Sequence, residues 1–437
     1  MGGPSRATPH TTSRAAVLDV IRAAGTISRA GLVAATGFTG ATISTVVRAL
    51  IDDGLVRETG RAESTGGKPR VLLQLDHGAR YAVGVHLDPM GVTYALTDLT
   101  GAVVSRVTRA DAGGDDPAAM VARTARQVDA LVEGAGVERD RVLGVGLVSA
   151  TGGARPLPSM RHWAHFPVAE ELERACGLPV VPGNDATAAA LGEYWSGGVG
   201  ETSVFAAVYM GTGIGAGLLV DGIPYHGASG NAGEIGHVCL DVDGPPCWCG
   251  ARGCVEALAG PAAVVRAARA DAGLARAAEL GAAGTGGADG GPTDGPGGGG
   301  RPGGGRAERS EAAEFAAVVR AARRGEPTAR ALLERSARYL AAAVRTLANV
   351  MDLDLLVLTG PGLAVAGSVY LPAIRSELEG AFFARASHPV EVRLSASAAT
   401  APAIGAATMV LQSRLVPLRP RVRLPEDLSE SAAPAHR

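Results

Sequence analysis

Apolar residues recur at helical spacing three times near the start of the chain. Val17, Leu18 and Ile21 predict an amphipathic helix over 14–24. Ser28 is placed to cap a second helix carrying Leu32, Val33 and Ala34, which Gly37 ends. A third helix begins at about Thr39, turns Ile43, Val46, Val47, Leu50 and Ile51 inward, and stops at Gly54. Two runs, 55–58 and 70–75, then read as strands, separated by a stretch of turn formers over 60–69. Three short helices and a hairpin predict a winged helix-turn-helix over 13–76. Its third helix is the one that would enter a DNA major groove. The small polar residues Thr39, Thr42, Ser44 and Thr45, with Arg48, suit base edges and phosphates. Arg61, Lys68 and Arg70 on the wing would meet phosphate or the minor groove. The plainer alternative is a helical packing domain with an ordinary solvated face.

From Tyr81 onward the pattern changes to apolar strands alternating with Ala-rich helices. Runs 81–87, 92–98 and 103–109 predict three antiparallel strands, followed by a helix around 117–134. Further strands are expected at 142–148 and 179–182. A second set starts with strands at 204–210 and 216–220. Helices at about 260–280 and 311–349 follow, then a strand at 353–358. Two α/β halves around a cleft describe a two-lobed ligand-binding body. The first lobe is expected over 79–195, completed by a helix at 400–415, and the second over 196–399. Residues 281–306 are almost wholly Gly, Ala, Pro, Thr, Asp and Arg, and predict a disordered insert. The Pro- and charge-rich tail at 416–437 is expected to be flexible.

Composition narrows the class. No stretch of eighteen or more apolar residues occurs, so no membrane span is expected, and the start lacks the apolar core of a signal peptide. A cytoplasmic protein is expected. The net charge is −2, yet residues 1–72 hold nine Lys/Arg against five Asp/Glu. A basic first segment on an acidic body suits a separate nucleic-acid module. Five cysteines, three of them clustered, fit metal binding better than a disulfide framework.

His237, Cys247, Cys249 and Cys254 fall within eighteen residues, among glycines and prolines that let a short backbone wrap one ion. One imidazole and three thiols are the ligand set of a closed structural Zn²⁺ site, with no open position for chemistry. Such a site can supply roughly 10–16 kcal/mol of apparent binding free energy, enough to hold a loose loop. Cys176 and Cys239 lie outside this spacing and read as ordinary buried residues. Asn184 and Asp185 sit at a strand-to-helix junction. There a carboxylate can accept from a sugar hydroxyl or take its proton, or the pair can simply cap the helix. Gly211, Thr212, Gly213 and Gly215 form a glycine-rich turn between two strands, where backbone amides could approach a phosphate.

Taken together, these runs resemble the ROK family of repressors, open reading frames and kinases, in its transcriptional-regulator branch. The resemblance covers essentially the whole chain. Its most specific part is Glu234-Ile-Gly-His237 followed by Cys247-x-Cys249-Gly-x-x-Gly-Cys254-x-Glu256. It implies an actin-like, hexokinase-like pair of lobes with sugar in the cleft. By that analogy Asn184, Asp185, Glu234, His237 and Glu256 contact sugar hydroxyls, with one His237 nitrogen on zinc. In the family's kinases the residue matching Asp185 is the base that activates the sugar hydroxyl. Here it would be catalytic only if kinase activity persists.

One departure separates the subfamilies. The kinases carry an Asp-x-Gly-x-Thr type turn for the ATP phosphates. This chain has His86 where the acid is expected, and Pro89 and Met90 in the turn. Proline removes an N–H donor and methionine obstructs close approach, which counts against ATP and Mg²⁺. The stretch from Ser149 to Gly153 also lacks the usual Pro-Gly pair. The sequence therefore reads as a sugar-responsive DNA-binding regulator, a repressor, with operator DNA and a sugar effector as partners and a homodimer or homotetramer as its assembly. The alternatives are a glucokinase-like sugar kinase with an appended DNA-binding arm, and a scaffold for protein–protein contacts.

Overall fold

The computed structural model describes residues 9–61, 70–88, 91–109, 116–150, 163, 165–196, 199, 204–280 and 311–415. The wing tip with Lys68, Pro89 and Met90, residues 151–153, the insert at 281–306 and the tail at 416–437 lie outside the described residues.

The first periodicities form α1 (Pro9–Ala24), α2 (Arg29–Thr36) and α3 (Gly40–Asp52). Ser28 Oγ accepts from the Gly31 amide at 3.1 Å and caps α2, and Gly37 closes it at φ 69°, a conformation a side chain would strain. Thr39 caps α3 by accepting from the Thr42 amide. The two helices meet at 118°, within the roughly 90–120° of helix-turn-helix pairs. Val17, Ile21, Leu32, Ile43, Val47 and Leu50 share one core with Leu55 and Leu73. The hairpin is β2 (Val56–Arg61) paired with β3 (Val71–Leu75). A two-residue β1 (Ile27–Ser28), too short to leave a periodicity, pairs with the other edge of β3. This is a winged helix-turn-helix.

The first larger sheet has the order β6-β5-β4-β7-β8. Its strands are β4 (Tyr81–Asp88), β5 (Gly91–Asp98), β6 (Val103–Arg109), β7 (Val142–Ser149) and β8 (Val180–Asn184). The first three are antiparallel, and β7 and β8 join parallel to β4. Helices α4 (Pro117–Gly134) and α5 (Val168–Cys176) carry Met120, Val128, Leu131 and Leu172 into the core on one face. After α6 (Asp185–Ser196) a second sheet follows the same plan. Its order is β11-β10-β9-β12-β13, built from β9 (Val204–Met210), β10 (Ile214–Val220), β11 (Ile223–Pro224), β12 (Leu355–Thr359) and β13 (Glu391–Leu394). Its largest core packs α7 (Val255–Ala259), α8 (Pro261–Ala270), α9 (Ala272–Ala277), α10 (Glu311–Arg323), α11 (Pro327–Met351) and α12 (Pro361–Ala381) over the strands. The last helix, α13 (Ala401–Leu415), returns to the first sheet and lies against α6, β4 and β7.

One expectation is corrected, and one helix was not foreseen. The helix expected over 311–349 is two helices, because Gly325 turns at φ 94°, Glu326 caps the next helix and Pro327 opens it. Helix α12 leaves little trace in the pattern, since Pro372 sits inside it. Among the described residues no single helix is long and apolar enough to cross a membrane.

Candidate functional site: a cleft walled by a cysteine loop

Strand β8 runs straight into α6, and the junction places Asn184 and Asp185. Asn184 Oδ1 accepts from the Thr187 amide at 3.0 Å and Asp185 Oδ1 from the Ala186 amide at 2.7 Å. Asn184 therefore caps the helix and Asp185 opens it, and both also line a cleft of about 200 Å³. Glu234, His237 and Glu256 line the same cleft, so the five residues expected to meet a sugar wall one cavity. Glu234 is exposed to solvent where it lines the cleft. Loss of solvent around it still pushes its carboxyl up from the ordinary value; His237 opposes the shift, and Asp185 and Glu256 add to it. Both oxygens of Glu256 are engaged: the Ile214 amide donates to Oε2 at 3.0 Å and the Trp248 indole N–H to Oε1 at 2.6 Å.

The cysteine loop contributes His237, Trp248 and Cys249 to the cleft's wall. One ligand atom from each of His237, Cys247, Cys249 and Cys254 can lie within 4.8 Å of all the others, a group that could hold a metal ion. His237 Nδ1 is 3.6 Å from Cys247 Sγ, and Cys249 Sγ is 3.8 Å from Cys254 Sγ. Burial first, then crowding by Cys249 and Cys247, pushes the Cys254 thiol up to about 12. Three thiols this close can all ionise only around a cation, so the donor set fits a thiolate-binding metal. Cys176 is buried, as expected, but Cys239 is exposed. The loop folds on itself through two single bridges, Cys239 with Cys254 and Pro246 with Arg252, so Cys239 is held by its backbone while its thiol stays outside the four-ligand group.

The glycine-rich turn read as a phosphate-loop remnant borders the cleft and is tied to the first sheet. Thr212 Oγ1 donates to Asp88 Oδ2 at 3.0 Å, tying the β9–β10 turn to the end of β4. A Cβ on Gly211 would sit 2.5 Å from the Tyr209 hydroxyl, and one on Gly213 would sit 2.4 Å from Glu256 Oε2. Gly213 and Gly215 line the cleft. His86 Nε2 lies 3.7 Å from Asp185 Oδ2 with both residues buried, and the His86 and Tyr209 rings meet edge to face at 6.1 Å. Burial, then the Asp185 and Asp88 carboxylates, push the Tyr209 phenol well up. The sequence reading missed Tyr209, Asp88 and Trp248 here. Trp248 had one signal: a large aromatic between two clustered cysteines, where no core periodicity needs it.

On the winged helix, Thr39, Ser44, Thr45 and Arg48 are exposed along α3, and Thr42 is half-buried. The hydroxyls of Ser44 and Thr45 turn back to the Gly40 and Ala41 carbonyls. Arg61 ends β2 with its side chain outside the described residues, and Arg70 is exposed just before β3.

The family model described as "ROK family" matches residues 89–413, most of the chain and all of the cleft. The chain belongs to the ROK family. A xylose repressor of Caldicellulosiruptor bescii is 30% identical over 230 residues, covering 52% of this chain and 58% of that protein. This ROK chain thus spans less than two thirds of the length of the first curated repressors it matches. A glucokinase of Halalkalibacterium halodurans is 26% identical over 339 residues, 76% of this chain and 96% of that protein. The solved structure of a ROK family transcriptional regulator, described as a homologue of the E. coli MLC protein, superposes with a TM-score of 0.66 at 23% identity. It covers 93% of this chain and 98% of its own. The fold is thus a winged helix-turn-helix followed by the actin-like, hexokinase-like pair of lobes of ROK proteins. The winged helix lies ahead of the family match, which begins at residue 89.

Proposed function

We propose that this chain is a sugar-responsive transcriptional repressor that binds operator DNA through α3 and its wing, with Zn²⁺ holding the cysteine loop. The observation that carries the reading is a division within one cleft. Asn184, Asp185 and Glu234 line it together with Tyr209, while beside it the glycine-rich turn spends its Thr212 hydroxyl on Asp88. A cleft of that kind suits an unmodified sugar better than a sugar beside a nucleotide. The xylose repressors and the regulator structure support the repressor reading, and the winged helix supplies the means.

A route for the signal supports the same reading. Helix α6 starts at Asp185 in the cleft and ends about 16 Å away at the first lobe's contact with the DNA-binding arm. There the Arg22 guanidinium of α1 lies 4.2 Å over the Trp195 ring. Leu99 and Leu415 also pack into the winged-helix core. A sugar that prefers one lobe arrangement can shift DNA affinity only by its differential affinity for the two arrangements.

A kinase reading has two observations in its favour: Asp185 lines the cleft, and a glucokinase matches along 96% of its length. Against it stands His86, 3.7 Å from the carboxylate that would act as base. The deciding experiment measures binding to the DNA upstream of the chain's own gene, with and without D-xylose, D-glucose and N-acetylglucosamine, beside a coupled ADP-release assay. DNA binding released by one sugar without ADP formation is expected. Arg48→Ala should weaken DNA binding and leave sugar binding intact. Sugar-dependent ADP formation with no DNA binding would refute the repressor reading.

A further inference from the structure

We infer that Trp248 is a sugar-facing platform and the positioning residue of Glu256, and that the metal bound by the cysteine loop holds it in place. The inference rests on the reading of the cleft as a sugar site. Trp248 lies between Cys247 and Cys249, two of the four candidate ligands, so metal coordination restrains the backbone on both sides of it. Its ring is half-buried and lines the cleft. It meets the His237 ring edge to face, at 5.0 Å and 80°. Its indole N–H donates to Glu256 Oε1 at 2.6 Å, a charge-assisted bond of the stronger kind.

Three consequences follow from that geometry. The indole face gives the cleft an apolar wall, on which the C–H face of a ring-form sugar can pack while its hydroxyls reach polar residues. The indole N–H and the Ile214 amide aim the Glu256 carboxylate, leaving its remaining lone pairs for a sugar hydroxyl. Loss of the metal frees both flanks of Trp248 and disturbs wall and carboxylate together. The metal is then structural in chemistry yet decisive for sugar affinity.

The test uses the full chain and the three sugars named above, by calorimetry, with metal content measured in parallel. Trp248→Ala should retain metal and bind the preferred sugar about 30-fold more weakly, the loss typical of a truncated aromatic anchor. Trp248→Phe keeps the ring without the donor and should lose roughly tenfold. In a Trp163→Phe/Trp195→Phe background Trp248 is the sole tryptophan. Its emission should change on sugar addition, and should shift to the red when a chelator strips the metal, with sugar affinity falling to that of Trp248→Ala. Equal sugar affinity in Trp248→Ala and the unmodified chain would overturn the inference alone, as would emission that ignores the chelator. If the unmodified chain takes up none of the three sugars, the sugar reading fails and the platform falls with it.

Discussion

A carboxyl group whose partners are hydroxyls is costly to keep ionised away from water. Glu193 on α6 is such a group: it is 7% exposed, and the hydroxyls of Thr359, at the end of β12, and Ser395, just after β13, donate to it. Burial pushes its pKa up, against the hydroxyl bonds that pull it down. A raised acid favours the protonated fold, so this group's destabilising effect is absent below the ordinary carboxyl range. It grows as pH rises through the window between the ordinary and the raised value. Glu193→Gln keeps an acceptor for both hydroxyls and removes the titration. It should raise Tm by about 2 °C or more at pH 7.5 and by much less near pH 4, as read from melting curves at both pH values. The metal ligands make a second residue-level case. Cys249→Ser should lower bound metal and Tm together, checked by elemental analysis and calorimetry; a melting curve unchanged after metal loss would show that the loop folds without it. Both sites differ in how they could be read. The four ligands and Glu256 were legible because their spacing is local. Glu193 was not, because its partners lie 166 and 202 residues away.

At the scale of elements, α13 decides how the first lobe closes. A Cβ at Gly84, Gly146 or Gly405 would stand 1.7, 1.9 or 1.6 Å from the carbonyl oxygens of Ala403, Ala406 and Ala188. The helix therefore lies backbone to backbone on β4, β7 and α6, and α6 meets β10 in the same way, with Gly217 against the Ala186 carbonyl. Small residues permit that approach, and no flexible side chain is there to yield. Gly405→Ala should cost about 3 kcal/mol or more in urea denaturation. Gly134→Ala, in α4 with open space around it, should be neutral or stabilising by up to about 1 kcal/mol. These helices are Ala-rich, and the apolar pattern marked them as helices without saying which faces they would bury.

For the whole molecule, the question is how the cleft and the DNA-binding arm communicate. The junction holds a cavity of about 350 Å³ lined by Arg22, Leu75, His77, Thr100 and Trp195. Trp195→Ala removes the ring under Arg22 and should leave sugar affinity within about twofold, while the sugar-induced change in DNA affinity falls at least about fivefold. Calorimetry and DNA-binding titrations check the two halves separately; a full sugar response in the variant would place the coupling elsewhere. The winged helix, the alternation of strands and helices, the cysteine loop and the family followed from the chain read alone, because each depends on residues near one another in sequence. Tyr209 over Gly211, His86 against Asp185, Trp248 on Glu256 and the bridge from Asp88 to Thr212 required the folded lobes. Periodicity and spacing carry local backbone preference. Which side chain fills which space is set by long-range packing, and only the tertiary structure determines that.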